Sequence, residues 1–306
     1  MKVAIIGGTG FIGSYILGAI QAAGHELRVL VRPGSEGKIR VGPGIEIVRG
    51  DIDGADAIRE TLEGCDAVVY LIGILREFPR QGITFERTQY RGVVDVADAA
   101  AGLGIRSFIL MSANGVDAEA TPYQRTKRAA ERYVMEGDFD ATVLRPSVVF
   151  GDPDGRMEFA TQLYQDIVRL PVPAIGFHSG WSPSKGAVMM SPVAASDVAA
   201  AFTAALDTPE TIGRIYHLGG PEALSWVEMI RRVAAAVGKR KLIVPMPIAV
   251  MRLAATFLDW LPFFPVTRDQ LTMLEQGNVC SDSDVRELTG HVPGAFTPEN
   301  LEYLAR

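Results

Sequence analysis

Apolar residues in the first half of the chain gather in short unbroken runs, separated by stretches with helical periodicity. Val3–Ile6 predicts a first strand, followed by a glycine turn and an amphipathic helix over Phe11–Ala23. His25–Arg32 and Ile45–Val48 predict the second and third strands, and Ala55–Leu62 a short helix. Ala67–Ile72 is a continuous apolar strand, and Phe85–Gly102 a helix with apolar residues at Val93, Val94, Val96 and Ala97. Ser107–Met111, Tyr123–Met135 and Ala141–Leu144 complete the series as strand, helix and strand. Strands that read as unbroken runs suit a parallel sheet covered on both faces. Strands interleaved with helices suit right-handed crossovers, so the expected architecture is an α/β doubly wound parallel sheet.

Past about residue 150 the pattern loosens and prolines and glycines multiply. Ser196–Leu206 predicts a helix with Asp197 in its first turn, where a carboxylate suits the helix dipole. Ile215–Leu218 predicts a strand. Ser225–Val237 predicts a helix with Ser225 as N-cap and Glu228 completing a capping box. Residues 1–150 are therefore read as one domain built on the doubly wound sheet. Residues 151–306 are read as a smaller, mostly helical substrate lobe, some of whose segments return to the main domain.

Composition narrows the classes. A net charge of −6 over 306 residues argues against a nucleic-acid binder, which would show a basic face to phosphates. Cys65 and Cys280 lie far apart with no metal-like spacing, as expected of thiols in a reducing compartment, and no metal is expected. Glycines 7, 8, 10 and 13 interrupt the apolar N-terminus in a way a secretory leader does not favour. No run reaches the 18 apolar residues of a membrane span. Leu242–Val266 comes closest, but it carries Arg252, Asp259 and several prolines, and reads as a hydrophobic surface or packing segment. A cytoplasmic location is the default expectation, with peripheral membrane association left open.

Gly7-Gly8-Thr9-Gly10-Phe11-Ile12-Gly13 lies between the first strand and first helix. Glycines here allow a tight turn, close approach of backbone to a pyrophosphate, and close packing of helix on strand. The helix N-terminus then faces the phosphates with free N–H groups. This predicts a Rossmann-type dinucleotide site. The second strand ends Val31-Arg32-Pro33 without the carboxylate that would hold a ribose 2′-hydroxyl. Arg32, helped by Lys38 or Arg40, is instead placed to pair with a 2′-phosphate, so NADP(H) is expected over NAD(H). Asp51-Ile52 follows the third strand, where the carboxylate meets the adenine amino group or caps the next helix. Ile72-Gly73 closes the fourth strand beside the cofactor.

Tyr123 and Lys127 stand four apart on a predicted helix and share a face. A lysine ammonium there is expected to lower the phenol pKa and favour proton exchange, and can also hydrogen-bond the nicotinamide ribose. Ser112 emerges at the carboxyl end of the fifth strand, where open α/β sheets bind ligands, and its hydroxyl could orient a carbonyl.

With these pieces the sequence resembles an extended or atypical short-chain dehydrogenase/reductase. Gly7–Gly13, Gly50-Asp51-Ile52, Ser112, Tyr123/Lys127 and Leu144-Arg145-Pro146-Ser147-Val148-Val149-Phe150-Gly151 carry the resemblance. It implies that Pro146, Ser147 and Val148 lie against the nicotinamide ring. Val69–Gly73, and Tyr123–Lys127 with Ala129-Ala130-Glu131, are most similar to the branch of the complex I nucleotide-binding accessory subunit. Members of that branch can hold NADP(H) yet serve as structural or assembly proteins. That branch implies a protein or membrane-complex partner, for which 242–266 is the candidate surface; otherwise the partner is a small-molecule substrate. Epimerases and dehydratases of nucleotide sugars are a further branch, but residues 170–205 hold only Lys185 as a basic residue. Val172, Ile175, Phe177, Trp181, Val188, Met189 and Met190 there predict a hydrophobic ligand site or simply core. His178 is read as a loop histidine.

Overall fold

Val3, Ala4, Ile5 and Ile6 are fully buried in β1 (Lys2–Ile6), which is possible only where both faces of a sheet are covered. Alternation sends them opposite ways. Ile5 lies with Val29 and Leu17 on the side of α1 (Phe11–Ala22). Ala4 and Ile6 join Leu30, Tyr70, Phe108 and Val143 in a cluster against the helices of the other face.

The computed structural model describes residues 1–39, 43–180, 186–258 and 268–306, without the side chains of 254–258. Arg40, Trp181, Lys185 and the 259–266 part of the apolar segment, Asp259 included, lie outside the described residues. Contacts divide the chain into two units. The first comprises 1–146, 195–218 and 284–291; the second comprises 147–194, 219–283 and 292–306.

In the first unit, β2 (Glu26–Val31) and β3 (Ile45–Arg49) lie to one side of β1. β4 (Ala67–Tyr70), β5 (Ser107–Met111), β6 (Asp140–Pro146) and β7 (Ile215–Leu218) lie to the other. The order is β7-β6-β5-β4-β1-β2-β3, and every pairing is parallel. The chain reverses direction of winding at β1, where Ile6 stands beside Leu30 on one flank and Tyr70 on the other. This is the Rossmann-type doubly wound α/β fold. α2 (Ala55–Leu62), α3 (Gly92–Gly102) and α4 (Pro122–Glu136) cover one face, and α1 packs on α5 (Ala195–Asp207) at the other.

Local chemistry sets the helix ends. Thr121 and Gln124 form a reciprocal capping box, with Pro122 at the first helical position, where its missing N–H costs nothing. The helix expected over Phe85–Gly102 instead begins as a π-helix, Glu86–Arg91, before continuing as α3. β4 stops two residues short of the expected end, because the Ile72 carbonyl turns to a lysine and away from a neighbouring strand.

The second unit is built of short paired strands and helices. Val149–Phe150 pairs with Val193–Ala194, Met189–Met190 with Leu224–Ser225, and Ala174–His178 with Ile243–Pro247. Phe150, Phe177, Met229, Ile230, Val233 and Phe296 form its core. Ser225 caps the helix Trp226–Ala236 by accepting the Glu228 N–H at 3.1 Å. The expected reciprocal bond is replaced, since the Glu228 carboxylate takes Arg232. Phe177, Val188 and Met190 are core residues, whereas Val172 is exposed. His178 belongs to no loop: it ends a strand, buried, with Nδ1 unpartnered among the described residues.

One buried ion pair ties β6 to α4. Arg145 donates to both carboxylate oxygens of Glu131 at 2.7 and 2.6 Å, and neither side chain reaches solvent appreciably. Asp117 takes the remaining guanidinium face at 2.5 and 3.0 Å, and its carboxyl is held below the usual range by that contact. Removing one partner strands a buried charge, which costs more than removing both. Arg145→Met should therefore destabilise the fold by about 3–5 kcal/mol in urea unfolding, and Arg145→Met/Glu131→Leu should recover much of that loss.

Candidate functional site

The turn after β1 explains its glycines by geometry. Gly7 has φ of 95°, and a Cβ there would lie 3.0 Å from the backbone nitrogen of Ile72. A Cβ on Gly13 would lie 2.7 Å from the Gly7 carbonyl, so only glycine lets α1 approach the strand this closely. Gly10 is exposed and is the N-cap residue of α1, with no side chain closing the first turn. Phe11 stacks edge-on with Tyr15, and Ile12 is half-buried. Thr9 is half-buried beside them. The result is an open helix N-terminus facing a backbone cradle, which fits a pyrophosphate.

Around the cradle, Arg32 is the first residue past β2. It is exposed, and its guanidinium has no partner among the described residues. Asp51 does not cap α2, whose N-cap is Gly54. Its carboxylate accepts the Ile52 N–H at 2.7 Å, while the Ile52 side chain is buried in the core.

The strongest convergence is at Lys127. Its ammonium donates to the Met111 carbonyl at 2.8 Å and to the Ile72 carbonyl at 3.2 Å, joining the ends of β5 and β4 to α4. Gly73 runs alongside, where a Cβ would sit 3.5 Å from the nitrogen. Burial drops the Lys127 pKa to about 8, partly opposed by the Glu131 carboxylate one turn on. Ser112 follows Met111. It is buried, its N–H donates to the Leu144 carbonyl, and its Oγ has no partner among the described residues. A buried hydroxyl without a partner is costly and points to a ligand that completes it.

Tyr123 is half-buried, with its ring edge-on to Phe85 at 5.7 Å. The spacing of four does not bring the ammonium to act on the phenol. Lys127 turns inward to carbonyls and does not lower the phenol; burial pushes Tyr123 up to about 12. Pro146 is buried at the end of β6, and its carbonyl accepts the Asn114 N–H. In the second unit, the Ser147 hydroxyl is committed to the Asn278 carbonyl at 2.9 Å, and Val148 packs on that unit's core.

Two further polar groups stand beside the site, and the apolar periodicity of the sequence does not single them out. Gln89, buried on the π-helix, donates to the Ile74 carbonyl at 2.7 Å and accepts from Thr126 of α4. It ties the loop after β4 to the helix that carries Tyr123 and Lys127. His217 Nδ1 meets the Asn114 side chain at 2.9 Å, two residues past Ser112. The signal in the sequence for the first is a pair of polar residues, Thr88 and Gln89, at the start of an otherwise apolar helix face.

The fold and the glycine cradle define a dinucleotide-binding protein. Residues 7–167 match the family model described as NAD(P)H-binding, and the chain belongs to that family. The chain is 26% identical over 260 residues to the ceramide reductase of Caulobacter vibrioides, covering 84% of this chain and 77% of that one. It is 27% identical over 284 residues to subunit 9 of the NADH dehydrogenase [ubiquinone] 1 alpha subcomplex of Arabidopsis thaliana, covering 90% and 68%. In three dimensions it resembles the NAD-bound UDP-glucose-4-epimerase of Stenotrophomonas maltophila, with a TM-score of 0.76 at 18% identity, covering 100% and 98%.

Lys127 supplies a pH test. An unfolded lysine titrates near about 10.4, above the folded value of about 8, so the unfolded chain binds more protons between them. The charged lysine thus penalises the fold fully below pH 8, and the penalty lifts as pH rises towards about 10.4. Melting curves of wild type and Lys127→Met should show the difference in Tm moving in favour of wild type from pH 7 to pH 10.

Proposed function

We propose that this protein is an NADP(H)-dependent oxidoreductase acting on a small or hydrophobic carbonyl or alcohol. The observation that carries the reading is the buried, unpartnered Ser112 hydroxyl next to the strand end that Lys127 anchors. When bound, the nicotinamide supplies or accepts the hydride. Ser112 donates a hydrogen bond to the substrate carbonyl and orients it. Tyr123, one helical turn before Lys127, gives the proton that makes the alcohol oxygen and recovers it in the reverse direction. With its pKa near 12 the phenol stays protonated at neutral pH, the form needed for reduction. Lys127, with two of its three N–H bonds spent on carbonyls, offers the third to the nicotinamide ribose. Gly7–Gly13 hold the pyrophosphate, Asp51 the adenine, and Arg32 the 2′-phosphate that selects NADP(H). Pro146, Ser147 and Val148 flank the nicotinamide. The second unit provides the substrate surface, and the protein works in the cytoplasm.

A second reading is favoured by the likeness to the Arabidopsis subunit: a protein that holds NADP(H) for structural or redox-sensing purposes inside a larger assembly. Turnover separates the two.

Fluorescence titration of cofactor-stripped protein should show NADPH binding more tightly than NADH. Arg32→Ala should weaken NADPH by about 10- to 100-fold, as expected for lost charged hydrogen bonds, and leave NADH unchanged. Against a panel of apolar ketones and aldehydes, Tyr123→Phe should lower kcat by about 10²–10⁴ while NADPH still binds. A fully active Tyr123→Phe removes the proposed proton donor. Absence of turnover in a wild-type protein that binds NADPH favours the second reading.

A further inference from the structure

The second unit carries an apolar surface that its own fold leaves open. Leu242, the residue before the strand Ile243–Pro247, is 70% exposed, and Val244 on that strand 46%. Beside them the 169–173 loop presents Leu170 and Val172. The two stretches are neighbours: the Ala174 N–H donates to the Leu242 carbonyl at 2.8 Å, and Lys241 Nζ donates to the Val168 and Leu170 carbonyls. The helix Ile248–Leu258 follows the strand directly. Ile248 and Met251, three apart, face the core, while Val250 and Leu253, also three apart, face solvent at 54% and 64%.

Charge says what covers this surface. Over 166–173 and 238–253 the chain holds Arg169, Lys239, Arg240, Lys241 and Arg252 against a single carboxylate, Asp166. The whole chain is at −6, so basic charge is concentrated where the apolar side chains protrude. Arg252 is paired with Glu275, which leaves Arg169 and the 239–241 run as the main positive feature. Apolar tips ringed by arginine and lysine are what an interfacial protein sets into the headgroup region of an acidic membrane. The acidic remainder is repelled from such a membrane, which fixes the face presented. Among the described residues no helix is long and apolar enough to cross a bilayer, so attachment through this surface is peripheral.

We propose that the second unit docks on an anionic phospholipid bilayer, inserting Leu170, Leu242 and Leu253 while Arg169 and Lys239–Lys241 contact the headgroups. This does not depend on the reaction proposed above.

Flotation of the full chain with vesicles tests it. Wild type should float with phosphatidylcholine–phosphatidylglycerol vesicles and not with phosphatidylcholine alone, and salt should release it. Each basic residue near such a surface contributes about fivefold in affinity, so Lys239→Glu/Arg240→Glu should weaken binding roughly 20-fold or more. Leu242→Ser/Leu253→Ser should weaken it comparably. Both variants alter exposed side chains, so melting temperature and NADPH titration should match wild type. Failure of wild type to float, equal flotation on neutral vesicles, or undiminished binding by both variants would falsify the proposal. So would a dimer in sedimentation that Leu242→Ser disrupts without any flotation, which would assign the face to a second copy of the chain.

Discussion

A buried ammonium is the constraint on which the site rests. An unpaired charge inside a protein costs several kcal/mol, so Lys127 can be buried only if oxygen atoms meet it from fixed directions. Two do, the carbonyls of Ile72 and Met111, and they lie at the ends of adjacent strands. For the first to point at the lysine, the chain must leave the sheet after Tyr70. For the lysine to reach both, α4 must start where the Thr121–Gln124 box starts it. Below, Glu131 offers partial compensation and is itself held by Arg145 from β6. Three strand ends and one helix are thereby fixed to each other by polar contacts, and Ser112 is set at the place where they meet.

What could be read from the sequence follows the same physics. Parallel strands buried on both faces announce themselves as apolar runs, and a phosphate turn announces itself by glycines that no other residue can replace. Seven strands and the cradle were therefore legible. The destination of Lys127 was not, since its partners are backbone carbonyls 55 and 16 residues away, and a carbonyl has no signature in sequence. The expected effect on Tyr123 failed for that reason: the spacing of four put both residues on one helix face, but it could not show that the ammonium turns inward. The π-winding of Glu86–Arg91 was equally hidden, because the apolar periodicity of Phe85–Gly102 tolerates one extra residue per turn. In the second unit, strands of two residues are too short to carry any period, and His178 at a strand end looked like a loop residue.

Reduction chemistry and a purely cofactor-holding role use the same cradle and differ only in whether Ser112 and Tyr123 meet a substrate. The polar framework around Lys127 serves either, because it fixes the ends of β4 and β5 to α4 whether or not a hydride moves. Membrane docking is likewise compatible with both, and it would bring an apolar substrate to the protein by diffusion in two dimensions.

The sheet of the first unit is not continuous in sequence. Its outer strand, β7, is made of residues 215–218, and the backbone N–H of His217 on that strand is held by Asp284 at 2.7 Å. Residues as far as Asp284 must therefore leave the ribosome before this unit can close. β6 waits as an unpaired edge, rich in Val143 and Leu144, until some 70 further residues are added and the strand Ile215–Leu218 emerges to pair with it. Synthesis of this protein thus includes an interval in which a sticky strand is exposed, and a chaperone or an early partner has most to offer during that interval.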